Sequence, residues 1–303
     1  MSIIYTTKSV HPECDITVSL YDHLVIESIM KNMDFKTLNE ECRKKWGDDV
    51  WKKLFNIWIK LFTDRKIEKI NVFLSDMDND VSDMINTIKS TEINKTTEIY
   101  TFSGKLGSGK NYIAENVFLP ELQKISPLPT VILAFADYMK VDVCGKNNVS
   151  YDSVFVEKTD TTRKLLQIVG TEKGRMIYGE DVWTNVLIAQ IKLYQSRGAK
   201  RFLITDGRFT NEADKVKQIG TALLRINAVE RNKDRVKQEA KGDDTKMKSI
   251  MSHVSETQLD DYKYFDYKIE NDYGDKETVV DKVKLIVLEI TEKIRQNLLK
   301  EIS

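Results

Sequence analysis

Cysteine is scarce in this chain. Only Cys14, Cys42 and Cys144 occur among 303 residues, odd in number and far apart, which argues against a disulfide framework and fits a reducing compartment. His11, His23 and His253 are equally dispersed, and no Cys/His spacing resembles a zinc site. No apolar run approaches the roughly eighteen residues of a membrane span. The N-terminal stretch carries acidic residues and no apolar signal core, so a cytoplasmic location is expected. Formal net charge is zero; no field of one sign marks a nucleic-acid or membrane surface, and neither partner is expected. Internal repeats, low-complexity tracts and any Ser/His/Asp or Cys/His arrangement are also missing.

What is present is organised around residues 99–111. A short apolar strand, Ile99 to Ser103, runs into Gly104-Lys105-Leu106-Gly107-Ser108-Gly109-Lys110-Asn111, and an amphipathic stretch follows. Gly104, Gly109 and Lys110 have the spacing of a phosphate-binding loop, in which backbone N–H groups surround a polyphosphate and a lysine adds a mobile positive charge. Where such loops usually carry a Ser or Thr hydroxyl for magnesium, this chain has Asn111. An amide oxygen is not an equivalent ligand, but substrate phosphates and water can hold the ion in its place.

Composition is 41% hydrophobic and 31% charged, ordinary for a soluble chain with one sizeable core and room for a second small domain. Residues 1–95 read as a helical N-terminal extension of unassigned role. Helices are expected over Leu24–Met33, from Lys36 and over Val50–Phe62, with a further helical run from Ile67 to Ile88. Trp51 and Trp58 read as core anchors. These stripes need a partner surface, within the chain or in a homodimer.

From Thr97 the period changes, and 96–303 reads as the nucleotide domain. Strands are expected at Glu98–Ser103, Val131–Phe135, Arg201–Thr205, Thr221–Ile226 and Phe265–Glu270. Helices are expected from Lys110, from Asp137, over Thr161–Val169, over Asp181–Ser196, from Asn211 with Asp214 in a capping-box-like place, and over Thr278–Leu299. Residues 147–155 read as loop, and 228–253 as a charged arm or lid. Strands alternating with helices imply a parallel α/β sheet, whose ligands bind outside the strand C-termini. Lys110, Asp137 and Asp206 to Arg208 are expected there.

Phosphoryl transfer between two phosphates needs a donor cradle, cations that screen the acceptor and cations over the transferring group. Lys110 and the loop N–H groups supply the first. Arg163, Arg175 and Arg208 are candidates for the second, and Arg225, Arg231, Lys233 and Arg235 for the third, since guanidinium pairs bidentately with phosphate. Asp206, at the end of a strand, is placed to hold magnesium, to orient Arg208 or to cap the next turn.

Several blocks in order resemble the deoxynucleoside monophosphate kinase family of phages and large DNA viruses. Gly104 to Asn111 is similar to its G-x-x-G-S-G-K-D opening, and Phe135-Ala136-Asp137-Tyr138-Met139-Lys140 to its F-A-x-x-L-K element. Arg163 to Glu172 resembles R-x-L-L-Q-x-x-G-T-E, Thr205 to Ala213 resembles S-D-V-R-F-P-N-E-A, and His253-Val254-Ser255-Glu256 resembles a late H-x-S-E. Gly207 and Thr210 depart from the usual Val and Pro. The resemblance implies a P-loop kinase-like fold with ATP and Mg2+ as cofactors and a deoxynucleoside monophosphate as substrate. It puts Gly104, Leu106, Gly107, Ser108, Gly109, Lys110 and Asn111 on the donor, and Phe135, Asp137, Lys140, Arg163, Gln167, Arg175, Trp183 and Arg208 around the acceptor. Asn111 and Asp206 would serve the metal, Arg231 or Arg235 would close over the transferring group, and His253 and Glu256 would organise the arm. A phosphomevalonate-kinase-like enzyme and a non-catalytic nucleotide- or DNA-end-binding scaffold stay open as alternatives. The high Asn, Lys, Asp and Ile content suits an AT-rich genome, and the resemblance suggests a viral protein in host cytoplasm.

Overall fold

The structure, a computed structural model, describes residues 3–6, 15–65, 69–73, 77–274 and 276–302. Eight strands are present among them: β1 (Ile3–Thr6), β2 (Asp15–Ser19), β3 (Lys69–Phe73), β4 (Glu98–Ser103), β5 (Thr130–Leu133), β6 (Arg201–Gly207), β7 (Ala222–Asn227) and β8 (Tyr267–Glu270). The last five form a parallel sheet of order β5-β6-β4-β7-β8, flanked by helices. Ile99, Tyr100 and Phe102 in β4 and Phe202, Leu203 and Ile204 in β6 are all solvent-inaccessible. Strands of a parallel sheet are covered on both faces, so they read as continuous apolar runs rather than alternations.

By contact density the chain divides into two units, Met1–Thr97 with Pro129–Phe202, and Glu98–Leu128 with Leu203–Ser303. This differs from a division at residue 95. The first ninety-seven residues cluster with the segment that opens with β5, and each unit is built from two stretches of chain.

In the first unit the helix Val50–Asp64 presents Trp51, Leu54, Trp58, Leu61 and Phe62 at helical spacing, and all five are buried. Trp58 packs on Phe62 at 5.4 Å between ring centroids, and Phe62 meets Tyr194 edge-on at 5.6 Å. Asp34 caps the helix Phe35–Trp46 by accepting the Thr37 N–H at 2.9 Å, which satisfies one orphan donor. The sequence suggests a helical N-terminal region, but three strands interrupt it. β1, β2 and β3 make a small sheet of order β1-β3-β2, antiparallel at β1-β3 and parallel at β2-β3. The single helical run expected over Ile67–Ile88 is therefore β3 followed by the helix Met77–Ser90. Ile70 and Val72 are β-branched and find ladder partners in β1 and β2, and that pairing overrides the helical period.

Two more expectations change in this unit. Residues 147–155, read as loop, contain a short helix, Tyr151–Phe155, capped by the Ser150 hydroxyl. The helix expected to stop at Gly170 continues through a π-helical stretch, Ile168–Arg175, to Tyr178, and Gly179 ends it. Trp183 Nε1 donates to the Gly170 carbonyl at 2.9 Å, so a side chain satisfies that wide turn.

In the second unit Phe118 sits between Tyr100 and Phe102, 5.1 Å from each ring, and so seats the helical segment after the glycine-rich loop on β4. The helix Thr210–Ile219 is capped by Glu212, not by the expected Asn211–Asp214 pair. Its carboxylate accepts the N–H groups of Arg208 at 2.9 Å and Phe209 at 3.1 Å. The charged arm comprises the helices Val229–Ala240 and Asp244–Met251. Helix Lys276–Ile302 buries Val283, Ile286, Val287 and Ile290 along one stripe.

Candidate functional site

The glycine-rich loop leaves the C-terminal end of β4 and opens the helix Lys110–Ile113. A Cβ on Gly104 would stand 2.5 Å from Ser108 Oγ and 2.7 Å from the Ile226 carbonyl oxygen, so only glycine fits there. Gly107 and Gly109 have φ near 76° and 78°, the left-handed region that other residues enter at a cost. The Ser108 N–H donates to the Lys105 carbonyl at 3.2 Å, closing the turn. Ser108 Oγ is buried with no hydrogen-bond partner, a polar atom still short of a ligand or water. Lys110 is buried and Asn111 exposed.

Side chains of the same unit converge on this loop. Both backbone groups of Leu106 are taken. Its N–H donates to Glu256 Oε2 at 2.7 Å, and its carbonyl accepts from Asn232 Nδ2 at 2.7 Å. The other Glu256 oxygen, Oε1, accepts from Arg208, whose guanidinium also reaches the Ser255 carbonyl at 3.4 Å. Asp260 pairs with Lys105 at 2.7 Å and with Arg225 at 3.4 Å, while Arg225 donates to Ser103 Oγ at 3.0 Å. Burial works against the Arg225 charge and lowers its pKa, with Arg208 adding repulsion; Asp260 and Glu256 oppose both. Asn271, just after β8, donates to the Ser108 carbonyl at 2.8 Å.

The helix Val229–Ala240 lies against the loop. A Cβ on Gly107 would stand 2.6 Å from Arg235 Cβ and 3.0 Å from the Arg231 carbonyl oxygen. Arg231 stacks over Tyr273 at 5.9 Å, and its N–H donates to Asp272 at 3.0 Å. Burial opposes the Asp272 charge, yet the N–H groups of Arg231, Glu230 and Val229 hold its carboxyl below the usual range. Arg235 pairs with Glu239 at 3.2 Å. Asp206 is half-buried at the end of β6, two residues before Arg208. The structure thus gathers the loop, Arg208, Arg231 and Arg235 in one unit. Asp206 and Asn111 belong to the same unit.

The remaining candidates lie in the first unit. Asp137 is fully buried and its carboxylate is engaged on both oxygens. Arg65 NH2 donates to Oδ1 at 2.8 Å, Arg65 NH1 binds Oδ2, and the Ala134 N–H donates to Oδ2 at 2.6 Å. Arg65 comes from the stretch read as a separate extension. Phe135 is buried, Lys140 lies over the Phe155 ring at 5.4 Å, Gln167 is exposed, and Arg163 is half-buried. Arg175 is 3.7 Å from Glu180, and Trp183 is committed to Gly170.

A polar cluster in this unit has no sequence signature. His23, Glu27 and Asp142 place ligand atoms within 4.8 Å of one another, but lysines already supply the positive charge. Lys146 pairs with Glu27 at 2.6 Å and Asp142 at 2.5 Å, and Lys31 pairs with Glu27 at 2.6 Å. Burial lowers the His23 pKa, against the pull of Asp142. Trp58 Nε1 donates to Nδ1 at 3.2 Å and Nε2 lies 3.0 Å from Asp142, an arrangement for the neutral Nε2–H ring.

The sequence pattern misses Arg65, Asn232 and Asp260. Each works across a long sequence separation and lies in a stretch of unremarkable charge. Glu256 is visible only as the last letter of H-x-S-E.

Fold and site define a parallel α/β architecture compatible with nucleotide binding. No protein-family model matches the chain, and no curated protein sequence matches it. Among solved structures, TT1252 from Thermus thermophilus is similar at 15% identity, covering 64% of this chain and 98% of that chain with a TM-score of 0.42. That likeness is too low to carry any functional conclusion. Among the described residues no helix is long and apolar enough to cross a membrane.

Proposed function

We propose that the protein is an ATP-dependent kinase acting on a deoxynucleoside monophosphate. The observation that carries this reading is the loop itself: three glycines that a Cβ would block or strain, followed by Lys110, with arginines of the same unit gathered around it. The loop N–H groups and Lys110 would hold the donor phosphates, and the orphaned Ser108 hydroxyl offers a further contact. The acceptor's phosphate oxygen bonds to the γ-phosphorus of ATP as the bridging β–γ oxygen departs with ADP. No general base is needed, because the acceptor is already an oxyanion at neutral pH. Arg208, Arg231 and Arg235 would stabilise charge on the transferring group. A magnesium ion near Asp206 and Asn111 would neutralise phosphate charge.

The test is ADP release with Mg-ATP and each of the four common deoxynucleoside monophosphates, with ribonucleotides and phosphomevalonate alongside. Acceptor-dependent turnover that Lys110→Ala abolishes supports the reading. Turnover with phosphomevalonate alone reassigns the acceptor. ATP binding without turnover on any acceptor overturns the kinase reading in favour of a scaffold.

A further inference from the structure

We propose that Glu256 is an internal competitor for phosphate at the glycine-rich loop. Its carboxylate takes the Leu106 N–H at 2.7 Å and the Arg208 guanidinium, two donors of the kind an anionic ligand would seek. The inference rests on the reading of the loop as a polyphosphate cradle.

Three observations support it. First, Glu256 is buried, so its charge is not a loosely solvated surface group. Second, the same short segment brings a second carboxylate, Asp260, onto Lys105 and Arg225, so residues 256–260 neutralise three cations beside the loop. Third, Asn232 holds the Leu106 carbonyl, in the next peptide group along, so the residue whose N–H meets Glu256 is restrained on both sides of its Cα. A polyphosphate that uses these donors displaces a fixed carboxylate, whereas one arriving at an open cradle displaces only water. Affinity for anions is thereby held down at these two donors.

Glu256→Gln has nearly the same shape but no charge. Its amide has one acceptor oxygen, so it cannot serve Leu106 and Arg208 with two oxygens as glutamate does. The probe is inorganic tripolyphosphate, with ATP alongside, titrated calorimetrically into the full chain. Glu292→Gln, on the exposed face of the helix Lys276–Ile302, removes the same charge without touching Leu106 or Arg208 and serves as control. Releasing one charge-assisted hydrogen bond is expected to tighten binding by about tenfold in Glu256→Gln, with little change in Glu292→Gln. Should Glu256→Gln fail to fold, Glu256→Asp carries the test, because the shorter side chain cannot span both partners and is expected to tighten binding several-fold. Binding by Glu256→Gln where the wild type shows none also supports the proposal. Equal or weaker binding by the variants, with the wild type binding, overturns the competitor role and leaves the cradle reading standing. No binding by any form overturns both.

Discussion

Arg65 and Asp137 offer the sharpest test of how the first unit is held together. Asp137 is wholly buried and the Arg65 side chain is 11% exposed. In Arg65→Met the carboxylate keeps only the Ala134 N–H among the donors described above, and the Ile132 carbonyl loses the Arg65 donor that reaches it at 3.0 Å. Breaking a buried pair from one side costs about 3–5 kcal/mol, because the remaining charge is desolvated without a partner. In a unit of about 170 residues that corresponds to a fall of roughly 6–20 °C in melting temperature. All four tryptophans, Trp46, Trp51, Trp58 and Trp183, lie in this unit, so tryptophan fluorescence reads it selectively. Adding Asp137→Asn gives a reversal of sign. In the wild-type background it strands Arg65 and should destabilise by about 2–3 kcal/mol, but in Arg65→Met it removes the stranded charge and should stabilise. A loss below about 1 kcal/mol for Arg65→Met, or the same sign of Asp137→Asn in both backgrounds, would refute the reasoning.

Three further outcomes are expected. Gly104→Ala should weaken binding of a fluorescent ATP analogue by more than about tenfold, since its Cβ would meet the immobile Ile226 carbonyl; unchanged binding would remove the loop from the site. His23 stays neutral when folded, with Asp142, Glu27 and Lys146 facing it, and its pKa is lowered. The unfolded chain therefore takes up the proton first as pH falls below about 6.5, and stability drops by at most about 1.4 kcal/mol per pH unit from this group. His23→Gln, which offers one donor and one acceptor but does not titrate, should flatten the melting temperature of the tryptophan-bearing unit between pH 7.5 and 5.5; an unchanged slope would assign it elsewhere. Glu212→Gln takes the charge from the one oxygen, Oε2, that the Arg208 and Phe209 N–H groups share, and should cost about 1–2 kcal/mol in urea unfolding followed by circular dichroism.

The parallel sheet is legible in the sequence because its strands are short, apolar and β-branched, and because Gly104 to Lys110 marks the strand-to-helix turn. Glu98–Ser103 is recovered to the residue. What escapes the sequence depends on distant partners. β3 resembles a helix until its pairing with β1 and β2 is known, and the π-helical continuation past Gly170 depends on Trp183, thirteen residues away. The loop's glycines announce themselves, whereas the reason for Gly107 lies at Arg235 and Arg231 in a stretch that reads only as charged. Asp137 falls at an unspecified position of the F-A-x-x-L-K element, and its pairing with Arg65 cannot be seen from spacing alone.

The alternation of the two units along the chain has a consequence for biosynthesis. Residues 1–97 leave the ribosome before the 129–202 segment with which they cluster, and 98–128 leave before 203–303. The nascent chain must therefore keep the amphipathic helices of its first third without their full complement while the phosphate-loop strand is already being made. The first unit is complete only once Phe202 has emerged, and the second only once 203–303 has followed. A truncated gene starting at residue 96 would discard more than half of one folding unit, and is expected to yield an aggregating product.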